Sequence, residues 1–114
     1  MNTYLKFKII GIQKTCQFKS DLELLARSLD KNTISQYEYQ SMYLKDKTTL
    51  ETALLKLDEN EFIQLNIRKE NREGRLYAGI NGTNTVNQAE IIQNFIMNHY
   101  KPERLKMEIS YRYL

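Results

Sequence analysis

Leu5, Phe7 and Ile9 alternate with Lys6 and Lys8, a period of two that predicts a strand with one buried and one charged face. The apolar positions then change phase, to Ile10, Ile12, Cys16 and Phe18, with Gly11 at the change, so a one-residue bulge is expected at the glycine. Ser20 and Glu23 have the spacing of a capping box, followed by Leu22, Leu25, Ala26 and Leu29 on one helical stripe, with Asn32 as the stop. Tyr37, Tyr39, Ser41 and Tyr43 share a phase and predict a strand with an aromatic face.

Thr48 and Glu51 repeat the capping-box spacing, and Leu50, Ala53, Leu54 and Leu57 make a second amphipathic stripe, so a helix is expected there. Asp58, Glu59 and Glu61 would then crowd its C-terminus, where negative charge opposes the helix dipole; a solvated turn is the plainer reading. Residues 62–80 read as a β-hairpin: Ile63, Leu65 and Ile67 alternate with polar residues, 70–75 form a polar turn containing Gly74, and Leu76, Ala78 and Ile80 return. Asn81-Gly82 breaks the pattern. A third helix follows, capped at Asn87 with Glu90 or at Thr85 with Gln88. It carries Ile92, Phe95, Ile96 and His99 and ends at Pro102. The last segment alternates Leu105, Met107, Ile109, Tyr111 and Tyr113 with polar residues, a long strand.

The expected order is β-α-β-α-β-β-α-β. Half-polar strands and amphipathic helices together predict an α+β two-layer sandwich. Its mixed or mostly antiparallel sheet of about five strands carries three helices on one face. At 114 residues, without repeats or a linker, the chain is expected to form a single domain over 1–114. Charges interrupt the N-terminal apolar run and no stretch approaches ~18 apolar residues, so neither a signal peptide nor a membrane span is expected, and the cytoplasm is the default.

Candidate chemistry is sparse. One His (His99), one Cys (Cys16) and no Trp leave few ways to build a metal site or a nucleophile–base pair. No catalytic residue, metal site or cofactor is expected. Cys16 reads as a small buried hydrophobe, and His99 as a helix-end residue packed on its apolar stripe.

The eight tyrosines are too many for one small core to bury with every hydroxyl satisfied. Surface Tyr beside Arg suits protein recognition. Tyr111, Arg112 and Tyr113 on a terminal strand, with Tyr77 and Arg75, are the candidate protein-binding residues. A strand at the sheet edge could pair with a partner or with a second copy of the chain. The expected function is therefore a non-enzymatic binding module. Its abundant Asn, Lys and Tyr suggest an AT-rich source, such as a phage or mobile element, for which an accessory or inhibitor role is expected.

The alternative is nucleic-acid binding. Seventeen Lys and Arg against fourteen Asp and Glu give a net charge of +3. Lys6, Lys8, Arg68, Lys69, Arg72, Arg104 and Lys106 would form a basic sheet face on which Tyr4, Tyr77 or Tyr39 could stack bases. Interleaved Glu70, Glu73, Glu103 and Glu108 dilute that field. Gly79, Asn81, Gly82 and Thr83, between a strand and a helix, form a candidate anion-binding loop.

Overall fold

The computed structural model describes residues 3–12, 18–30, 36–45, 48–58, 60–70, 73–100 and 106–113. Six strands and two helices follow in the order β1 (Thr3–Ile12), α1 (Phe18–Asp30), β2 (Gln36–Tyr43), β3 (Thr49–Asp58), β4 (Glu61–Lys69), β5 (Gly74–Gly82), α2 (Thr85–Tyr100) and β6 (Lys106–Tyr113). The strands form one sheet in the order β2-β3-β4-β5-β1-β6, with every neighbouring pair antiparallel. The two-layer α+β expectation holds, with a wholly antiparallel sheet and two helices instead of three.

The missing helix is β3. Residues 50–57 fit both periods: Leu50, Ala53, Leu54 and Leu57 make a helical stripe, while Glu51, Ala53 and Leu55 alternate. Pairing decides between them, because β3 is hydrogen-bonded to β2 on one side and β4 on the other. Local helix propensity, a few tenths of a kcal/mol per residue, is overridden by the two ladders and by full burial of Leu55. Asp58 and Glu61 are paired in the β3–β4 ladder, so no helix ends there. No helix dipole opposes them.

The Gly11 bulge is present: the β1–β5 register shifts between Ile10 and Ile12, and Gly11 takes φ 96°. That extra residue keeps Ile12 on the core side after Leu5, Phe7 and Ile9. Helix α1 starts at Phe18, so Ser20 lies inside its first turn and not at its cap. In α2 the first turn closes on Asn84, whose carbonyl accepts the Gln88 N–H at 3.1 Å.

Antiparallel pairing on both sides of β1 makes β5 and β6 parallel to each other, and α2 is the crossover between them. Helix α1 carries the chain from β1 to the far edge strand β2. Both helices pack on one face of the sheet. Phe18, Leu22, Leu25 and Leu29 of α1 and Ala89, Ile92, Phe95 and Ile96 of α2 meet Leu5, Phe7, Ile9, Leu55, Ile63, Leu65, Ile67, Leu76 and Ile80 from the strands. Each fully buried Leu or Ile contributes about 1.5–3 kcal/mol relative to an exposed one. The opposite face has no helix on it among the described residues, and the mostly polar alternate positions of β1, β4 and β5 lie there.

Candidate site on the open sheet face

Strand alternation and register assemble this site. On β1 the even positions Tyr4, Lys6 and Lys8 face away from the helices, because Leu5, Phe7 and Ile9 are buried against them. The register sets Tyr4 opposite Asn81, Lys6 opposite Gly79 and Lys8 opposite Tyr77. Across β5, Gln64 stands opposite Gly79 and Asn66 opposite Tyr77. On the other flank Glu108 of β6 stands opposite Lys8.

Gly79 has no side chain, and the end of the Tyr4 side chain lies over it. A concavity of about 610 Å³ opens on this face, lined by Tyr4, Lys6, Lys8, Gln64, Asn66, Tyr77 and Glu108, with Phe7, Ala78 and Gly79 completing the lining. That volume lies in the range of small-ligand sites. The Lys6 ammonium sits 5.5 Å from the centre of the Tyr4 ring. Lys8 Nζ lies 3.4 Å from Glu108 Oε1, with the carboxylate 70% exposed and the lysine 26%. Tyr77 is 38% exposed. The Asn66 carboxamide oxygen is covered and makes no hydrogen bond within the chain.

Two arginines extend the basic surface along the same face. Arg68 and Arg75 stand opposite each other in the β4–β5 pair. Each has an acidic neighbour: Arg68 Nε lies 3.1 Å from Glu70, and Arg75 Nε lies 3.7 Å from Glu73. A hydrogen bond to the Tyr77 side chain, followed by the charge of Glu70, raises the Arg75 pKa above the ordinary arginine value. Arg75 and Tyr77, grouped by the sequence reading, stand two residues apart on the open face of β5.

Other expected site residues lie elsewhere. Lys69 belongs to the helix side, where its ammonium lies 2.7 Å from Oε2 of Glu51, itself 7% exposed. Its odd position, in phase with Ile63, Leu65 and Ile67, was the sign that it leaves the basic face. Tyr39 is also on the helix side. Its hydroxyl donates to Glu51 Oε1, and its ring lies 6.3 Å from that of Phe18. Arg72, Arg104 and Cys16 fall outside the described residues. Of Lys106, Tyr111, Arg112 and Tyr113 only the backbone is described. Strand β6 lies at the sheet edge, as expected, with Arg112 opposite Tyr4 and Tyr111 opposite Leu5.

The candidate anion loop is mostly strand. Gly79, Asn81 and Gly82 belong to β5, and only Thr83 lies beyond it. The Thr83 N–H and hydroxyl both donate to Glu61 Oε1, at 3.3 and 3.0 Å, so an internal carboxylate occupies these donors. Asn81 Nδ2 donates to the Asn60 carbonyl at 2.6 Å. His99 stacks on Phe95 with ring centres 4.0 Å apart, and its Nδ1 lies 3.0 Å from the Phe95 carbonyl. Among the described residues, no three His, Cys, Asp or Glu side chains are grouped as metal ligands, and no helix is long and apolar enough to cross a membrane.

Sequence reasoning missed Gln64, Asn66 and Glu108 as members of one site. The polar phase of each strand was visible, but only the strand order brings β4, β5, β1 and β6 side by side.

These features define an α+β protein with one helix-covered and one open sheet face. Its fold is similar to that of the solved adenosylmethionine decarboxylase from Aquifex aeolicus VF5, with a TM-score of 0.61, 13% identity, and coverage of 100% of this chain and 92% of the other. That likeness concerns the fold. No protein-family model matches the chain, and no curated protein matches it in sequence.

Proposed function

We propose that this protein is a non-enzymatic binding protein whose recognition surface is the open sheet face, and that its ligand is a nucleotide unit within a single strand. The observation that carries this reading is the convergence of Tyr4, Tyr77, Lys6 and Lys8 around one depression. Tyrosine rings offer flat apolar faces to bases, and ammonium groups beside them pair with phosphate. Gln64 and Asn66 add amide side chains to the same lining, groups able to donate and accept hydrogen bonds.

The test is binding of labelled single-stranded DNA and RNA followed by anisotropy at ~50 mM salt, repeated at higher salt. Binding that weakens steeply with salt and is lost in a Lys6→Glu/Lys8→Glu double variant supports the reading. Free nucleotides and adenosylmethionine belong in the same experiment. The similarity in fold to an adenosylmethionine decarboxylase makes the second a relevant small adenosine-bearing probe. Failure of every such ligand to bind overturns the proposal.

The edge position of β6 supports a second reading, in which a protein partner or a second copy adds a strand to that edge. Light scattering across a concentration series tests the self-association form; a monomer at every concentration removes it.

A further inference from the structure

We infer that Glu108 sets the charge selectivity of the open-face site, tuning it for a singly charged phosphodiester over a phosphomonoester or polyphosphate. This rests on the nucleotide reading above and adds a specificity-determining residue to it.

Among the described side chains, three charged ones line the concavity: Lys6, Lys8 and Glu108. Together they carry a net charge of +1. A phosphodiester brings one negative charge, whereas a terminal phosphate brings about −1.5 to −2 at neutral pH and a triphosphate brings more. The first balances the net charge of these three groups. The others leave excess negative charge facing a carboxylate.

Placement sharpens the argument. Glu108 is opposite Lys8 across the β1–β6 ladder, and its carboxylate already lies 3.4 Å from that ammonium. A phosphate reaching Lys8 must share it with Glu108 or displace it. Lys6 lies beside the Tyr4 ring and forms no ion pair among the described residues. The site therefore has one cation free to meet a phosphate and a second already partly neutralised. Removing the Glu108 charge leaves both lysines for the ligand. Because Glu108 is largely exposed, solvent screens its charge and the effect is a few-fold one.

The test compares a dinucleoside monophosphate, a nucleoside 5′-monophosphate, the 5′-triphosphate and the uncharged nucleoside, each titrated into the wild-type chain and into Glu108→Gln. The wild type should bind the dinucleoside monophosphate more tightly than the triphosphate. Glu108→Gln should tighten triphosphate binding by about 3–5-fold, tighten monophosphate binding less, and leave the uncharged nucleoside unchanged. Lys8→Gln should move the ranking the opposite way. Thermal unfolding of Glu108→Gln should match the wild type, which separates selectivity from folding. Ligands that bind but keep the same ranking in both proteins overturn the Glu108 assignment and leave the nucleotide reading standing. No binding of any ligand by either protein overturns both.

Discussion

Tyr4 lies across Gly79: a Cβ built on the glycine would stand 2.6 Å from the tyrosine hydroxyl oxygen and 3.3 Å from the ring carbon that bears it. The two residues are diagonal neighbours on adjacent strands, since Gly79 pairs with Lys6 and Tyr4 with Asn81. A ring covering a strand glycine compensates for the packing that glycine cannot supply. Here the same arrangement lays an aromatic ring beside the concavity.

Gly79→Ala should therefore separate stability from binding. The added methyl meets the far end of a side chain that can swing away, and alanine lowers unfolded-chain entropy, so stability should change by less than about 1 kcal/mol. Tyr4 must leave its place, and ligand affinity should fall about ten-fold, consistent with losing one base-stacking surface. Denaturant unfolding and ligand titration on the same variant check both halves.

Gly11 is a different case, because its backbone carries a positive φ of 96°. Gly11→Ala should destabilise the chain by about 1–2 kcal/mol, as a side chain there is strained whatever space surrounds it. The shift should appear in the urea midpoint with an unchanged slope.

Glu51, Lys69 and Tyr39 form a polar cluster on the helix side. Glu51→Ala removes the partner of a mostly buried ammonium and a hydrogen-bond acceptor of Tyr39, and should cost about 3 kcal/mol. The double variant Glu51→Leu/Lys69→Met, which removes both charges, should recover most of that loss. Equal destabilisation by the single and double variants would show that packing, and not charge, dominates this cluster.

Adjacent leucines distinguish the two readings of residues 50–57. In the strand, Leu55 is fully buried and Leu54 half-buried on the open face. Leu55→Gln should cost about 3 kcal/mol or more, and Leu54→Gln about 1 kcal/mol or less. A helix carrying Leu50, Ala53, Leu54 and Leu57 inward would give the reverse order, so a pair of melting curves decides.

Strands β1, β4 and β5 were legible because their sequences fit one period only. Lys6 and Lys8 interrupt the first at every second position, and no helical face collects its apolar residues. The Gly11 bulge was legible for the same reason, since a change of phase at a glycine has few other causes. At β3 the two periods coincide on Ala53, and the capping-box spacing of Thr48 and Glu51 favoured the wrong one. The acids at 58–61 were the available contrary signal: they oppose a helix dipole but suit a hairpin connection. For the site, the sequence showed which residues share a strand face. It did not show that β1 inserts between β5 and β6, and Lys8 meets both Tyr77 and Glu108 only because of that insertion. Lys69 shows the converse error, since grouping by charge ignored its odd position in β4.

Strands β1 and β6 run side by side, with Thr3 opposite Tyr113. Thr3 and Tyr113 are thus close enough for a flexible bridge of about five residues to join them. Cutting the backbone between β2 and β3 in such a closed ring would give a circularly permuted chain with the same six-stranded order. It would also tether the outermost strand β6 covalently to β1, holding Glu108 beside Lys8 by a local turn instead of a contact across the whole length of the chain.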